Sequence, residues 1–186
     1  RDGHLGLDAP QMGCEGDEAW MIQETRSLHF AVACKLVGVS AKAEIRSSRE
    51  VSYLLSPRTE CSFDIYISVV TSEESDDPLT TAKECVHRAA EAGRDELVTR
   101  HRNWWADFWS QSFVHIGDDY IENLWYMNLY QIGSSSLGEY PPHFIGSIWS
   151  WNRDARPWNH YFQWNQQQYT WPLHAAGHPE LMMPYA

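Results

Sequence analysis

The spacing of apolar residues changes once along this chain, and that change limits the folds open to it. Up to about residue 70 the spacing is two. Phe63, Ile65, Ile67 and Val69 alternate with Asp64, Tyr66 and Ser68, and Leu28, Phe30, Val32, Cys34 and Leu36 share one face of residues 28–39. Successive side chains on a strand point to opposite faces, so these segments read as strands with one apolar face each. Residues 51–55 form a shorter apolar run, and Ser56-Pro57-Arg58-Thr59 is turn-rich. The first 27 residues are rich in Gly, Asp and Glu with little periodicity, and read as loops with one short element.

An acidic connector, residues 71–78, then hands over to spacings of three and four. Asp77 at a cap position followed by Pro78 starts a helix. Leu79, Ala82, Val86 and Ala89 carry that helix to a break near Gly93. A second helix over about 94–110 follows from Leu97, His101, Trp104, Trp105 and Phe108. Asp118 or Asp119 caps a third, whose broad apolar face holds Ile121, Leu124, Trp125, Met127, Leu129 and Ile132. Residues 133–138 end it, and Pro141-Pro142 prevents its continuation. A short helix is expected over about 166–176. The order of a β block and then helices predicts an α+β chain with two domains meeting near residue 72.

A formal charge of −11 without a basic stripe argues against nucleic acid as a partner. No apolar run is long enough to cross a membrane as a helix; the longest, residues 30–39, is interrupted by Lys35 and Gly38. Cys14, Cys34, Cys61 and Cys85 lack CxxC spacing, so free thiols are expected, with one disulfide open if the protein is exported. The chain opens at Arg1 and stops at Ala186 just after a patterned stretch, which leads us to expect an internal piece of a larger protein whose remainder completes it.

Ten tryptophans are present, and nine fall between Trp104 and Trp171. Trp104, Trp105 and Trp109 sit at helix spacing and read as packing. The later burst mixes rings with amides and has no clean apolar stripe. Rings with polar handles are unfavourable to bury unless their N–H groups find partners. A wall that binds a hydroxyl-rich sugar needs that mixture. Trp149, Trp158, Trp164 and His160 are therefore the substrate-binding candidates. Gln163 and Asn165 lie two apart, which in an extended segment aims both amides to one side; the alternative is an amide-rich loop that satisfies its own backbone. Glycosyl transfer to water usually needs two carboxylates. Glu122, Glu139, Asp154 and Glu180 are candidates, but spacing selects no pair. No metal is expected: there is no HExxH, and Gly177 and Pro179 interrupt any helix shared by His174 and His178. Neither a GxSxG elbow nor a phosphate loop is present.

The stretch Tyr130-Gln-Ile-Gly-Ser-Ser-Ser-Leu-Gly138-Glu-Tyr-Pro-Pro-His-Phe-Ile-Gly146-Ser-Ile-Trp149 resembles the entry into the catalytic barrel of glycoside hydrolase family 95, the α-L-fucosidases and α-L-galactosidases. Pro157-Trp158 and Asn165-Gln-Gln-Gln-Tyr-Thr-Trp171-Pro172 continue the match in order, and residues 68–72 with His101-Arg-Asn-Trp104-Trp105-Ala-Asp-Phe108-Trp109 are similar to that family's domain junction. The resemblance covers about residues 60–185. It implies the end of an N-terminal β-sandwich over 1–72, a helical linker over 73–115 and the start of an (α/α)6 barrel over 116–186. It also implies an inverting reaction on a terminal L-fucose- or L-galactose-like residue, with no cofactor, in an extracellular or periplasmic protein. Two asparagines before Trp-Pro hold the attacking water in that family. The second corresponds to Asn165. The first corresponds to Gln163, whose extra methylene displaces the amide by about one bond length, so that chemistry or sugar preference would differ. The general-acid glutamate and the polarising aspartate fall beyond Ala186. A non-catalytic carbohydrate-binding protein and a glycoside phosphorylase are the alternatives.

Overall fold

The computed structural model describes residues 7–56, 62–142 and 164–185. It divides into two compact units, Arg1–His101 and Arg102–Ala186. In the first, strands β1 (Gln11–Glu15), β2 (Glu18–Glu24), β3 (His29–Val37) and β6 (Asp64–Thr71) form an antiparallel sheet in the order β1-β2-β3-β6. Strands β4 (Ala41–Ser47) and β5 (Glu50–Leu55) pair as a separate hairpin. Helix α1 (Pro78–Ala92) packs on the sheet against β3 and β6. The first unit is therefore sandwich-like, strands with a helix on one face.

Three expected strands form where the alternation placed them. Three others do not announce themselves. β1 and β2 are joined by Gly16-Asp17, with Gly16 at φ 57° and Glu15 opposite Glu18. The unbroken run Ala19-Trp20-Met21-Ile22 hides the two-residue period there. In β4 the apolar positions are mostly alanine, too small to mark a face.

The buried face of β3 differs from the one the alternation favours. Ala31 and Ala33 are fully buried, and with Val70, Ala82 and Val86 they make the core beneath α1. Small residues there let the helix backbone approach the sheet closely, so burial follows the alanines rather than the larger side chains. Of the favoured set only Leu36 is sealed. Val32 and Cys34 instead share a hollow with Met12, Met21, Val51 and Tyr53. Their cross-strand neighbours Val69 and Ile67 are exposed, Ile67 by 66%. Tyr53 closes that side by donating its hydroxyl to the Cys34 carbonyl at 3.0 Å, and burial pushes its phenol well above the usual range.

Helix α1 begins as its cap predicts: the Asp77 carboxylate accepts from the Thr80 N–H at 3.1 Å. The chain turns at Gly93, φ 80°, into α2 (Arg94–Ser110). The division between units falls inside α2, and α1 packs on the sheet. The segment 73–115 thus contributes to both units.

The second unit contains the end of α2, α3 (Asp119–Gly133), α4 (Trp164–Thr170), α5 (Pro172–Ala175) and a 3-10 helix, Pro179–Tyr185. Its core is Phe108, Leu129, Ile132, Leu173, Ala176 and Leu181, with Trp105, Trp109, Trp125, Tyr169 and Met182 packed around it. Trp105 and Trp109 are thus packing residues, as their spacing suggests, whereas Trp104, expected to pack with them, is 39% exposed. Gly133 is needed for proximity rather than for a left-handed turn, because a Cβ there would lie 2.9 Å from Cζ of Phe108.

Candidate functional site

Helix α3 presents Trp125, Asn128, Leu129 and Ile132 along one face, at steps of three and four. Opposite them, α4 and α5 present Gln168, Tyr169, Pro172, Leu173 and Ala176. The two faces enclose a hollow of about 280 Å³. Leucine, isoleucine and alanine form its floor. Two rings and two amides remain for a ligand, with the Asn128 Nδ2 already donating to the Leu124 carbonyl at 2.9 Å.

The position of α4 is fixed from below. Gln166 is buried and donates to the Tyr185 hydroxyl, which donates in turn to the Pro142 carbonyl at 3.3 Å. The Thr170 hydroxyl donates back to the Gln166 carbonyl at 3.2 Å. Burial pushes the Tyr169 and Tyr185 phenols upward, so both remain neutral hydrogen-bonding groups at ordinary pH.

Asn165 is exposed in the first turn of α4. Gln168 and Tyr169 follow it by three and four residues, so it shares their helix face, one turn from the hollow. The helix begins at Trp164, two residues earlier than the apolar pattern indicated. Asn165 is therefore helical, and the two-residue spacing of an extended segment does not govern its direction. Trp164 is 61% exposed and meets Trp171 edge to face at 5.9 Å. Gln163, Trp149, Trp158 and His160 lie outside the described residues.

The carboxylate candidates separate. Glu122 accepts from the N–H groups of Ile116 at 2.7 Å and Gly117 at 3.0 Å, and these bonds hold its carboxyl below the usual range. It serves the start of α3. Glu139 is exposed, Asp154 lies outside the described residues, and Glu180 is 3.0 Å from Nδ1 of His178. His178 is wholly buried, stacked on Phe108 at 4.0 Å, with Nε2 3.3 Å from the Ser112 hydroxyl. His174 is exposed and does not meet it. Among the described residues no cluster of three His, Cys, Asp or Glu could hold a metal, and Cys14, Cys34 and Cys85 are free.

The sequence reading missed Trp125, Asn128, Gln168 and Tyr169 as site residues. A usable signal was present, since on each helix a ring and an amide sit within one turn.

Residues 3–108 match the family described as glycosyl hydrolase family 65, N-terminal domain. The chain belongs to that family. No curated protein matches it. The matched stretch holds the six strands of the described residues, α1 and most of α2, and it relates the chain to glycosidases and phosphorylases. It ends before the hollow, whose first residue is Trp125, and it does not single out family 95.

Proposed function

We propose that this chain is part of an inverting exo-glycosidase that removes a terminal L-fucose- or L-galactose-like residue from an oligo- or polysaccharide. In this reading residues 116–186 begin an (α/α)6 barrel, and the protein works outside the cytoplasm. The observation that carries it is the exposed Asn165 amide, one turn along α4 from a hollow lined by Trp125, Asn128, Gln168 and Tyr169, in a chain with a glycosyl hydrolase domain. Ring faces suit the C–H surfaces of a sugar, and amides suit its hydroxyls.

An amide is not a base, but it can hold a water by donating and accepting. Asn165, with Gln163 beside it, would orient the water that attacks the anomeric carbon. A carboxylate elsewhere in the polypeptide would take its proton, and an acid would protonate the leaving oxygen. Trp149, Trp158, Trp164 and His160 would contact the sugar.

The test is Asn165→Ala in the full-length protein with an aryl α-L-fucoside. We expect turnover to fall about 100-fold or more while sugar binding persists. Unchanged turnover would remove Asn165 from the reaction. The family relation also favours a second reading, a glycoside phosphorylase; turnover that requires added phosphate would select it. Sugar binding without turnover in wild type would instead indicate a carbohydrate-binding protein.

A further inference from the structure

A second hollow in the helical unit, about 260 Å³, is lined by Trp104, Asp107, Phe108, Gln111, Leu137 and Glu180. Trp104, Asp107 and Phe108 form a strip along the end of α2, at steps of three and four, and Gln111 follows directly after the helix. The hollow is distinct from the one beside Asn165 and shares no lining residue with it.

Its groups are held in place. The Trp104 ring is 39% exposed, stacked on Phe108 at 5.3 Å and set edge-on against Trp105 at 4.7 Å. Glu180 is half exposed, and one of its oxygens, Oε1, is anchored by His178. That histidine has no exposed surface at all. Both ring nitrogens have a partner, Nε2 at 3.3 Å from the Ser112 hydroxyl and Nδ1 at 3.0 Å from the Glu180 carboxylate. A fully buried, doubly bonded histidine fixes the carboxylate at the rim and leaves Oε2 to accept from a ligand. Ordering a glutamate on an exposed surface is otherwise unfavourable in entropy, and a histidine-held one binds without that loss.

The geometry points to a neutral monosaccharide site here, separate from the proposed reaction centre, with Asp107 and Glu180 accepting from ring hydroxyls, Gln111 donating or accepting, and Trp104 offering an apolar face. The assignment rests on the carbohydrate-active reading above. The volume admits one ring rather than a chain. Two carboxylates repel sugar phosphates and sugar acids, so a neutral sugar is favoured over an anionic one.

The test uses the full 186-residue chain labelled with 5-fluorotryptophan, the Trp104 fluorine signal being assigned by its loss in Trp104→Phe. L-fucose, D-galactose, galactose 1-phosphate and calcium chloride are each titrated. The Trp104 signal should move with a millimolar midpoint for a neutral sugar, and the sugar phosphate should bind at least about tenfold more weakly. The double variant Asp107→Asn, Glu180→Gln should weaken the sugar response about tenfold, and each single change by less; both changes are close to isosteric. A Trp104 signal that neither sugar moves, a response undiminished in the double variant, equal binding of the phosphate, or a response to calcium alone would each overturn the assignment. A sugar response that persists when Asn165→Ala leaves turnover untouched would sink the proposed reaction and keep this site.

Discussion

Gly133 shows how one residue serves two readings. In the sequence it stands where a helix should stop, and α3 does stop there, yet its backbone is not left-handed. The Phe108 ring lies against it so closely that a methyl group would sit 2.9 Å from Cζ. The ring is buried among core side chains and stacked on both Trp104 and His178, which oppose its withdrawal. Gly133→Ala should therefore destabilise the helical unit by about 1–3 kcal/mol, the usual penalty for overpacking. Urea denaturation monitored by tryptophan emission checks this; a change under about 0.5 kcal/mol would mean that the ring yields freely. Asn165 was legible as a candidate from its neighbours. Its direction was not, because direction depends on whether α4 begins before or after it, and helix boundaries are set weakly by local sequence.

Among the elements, α3 was the most legible. Asp118 accepts from the N–H groups of Tyr120 at 3.1 Å and Ile121 at 3.2 Å, as a cap should. Glu122 adds a device that the pattern did not show, reaching back to Ile116 and Gly117. Its carboxyl is held below its ordinary value of 4.5, first by the Ile116 N–H and then by the Gly117 N–H. A depressed carboxyl stabilises the fold above the unfolded value, and that contribution disappears as pH falls through the folded value. Wild type should be more stable than Glu122→Gln near neutral pH, with the gap closing as pH falls below the ordinary carboxyl value of 4.5. Melting temperatures of both proteins across that range measure it; a gap independent of pH would refute the ionic origin. Strand β3 was legible as a strand but not in its buried face. Alternation tells which residues share a side, and only the position of α1 decides which side is covered.

For the whole molecule, each unit has its own core. Leu173 is 1% exposed in the core of the helical unit, whereas Ala31, Ala33, Val70, Ala82 and Val86 form that of the strand unit. Leu173→Ala should cost about 2–5 kcal/mol, as large-to-small core changes do. If the cores are independent, the loss appears as faster amide exchange across α3 and α5 while the protection of β3 and β6 is retained. Equal loss in both units would show a single cooperative fold.

Local chemistry by itself determined the change from strands to helices near residue 72, the Asp77-Pro78 helix start, the Gly93 break and the packing role of Trp105 and Trp109. Each depends on neighbours within a few positions: a cap, a fixed φ, a recurring face. The tertiary structure alone decided that Ala31 and Ala33 are the sealed face of β3. It alone brought Trp125 and Asn128 to face Gln168 and Tyr169 across about 40 residues, and joined Ser112, His178 and Glu180. Those meetings arise from how helices pack, and packing is fixed by the summed burial of many side chains rather than by any one segment.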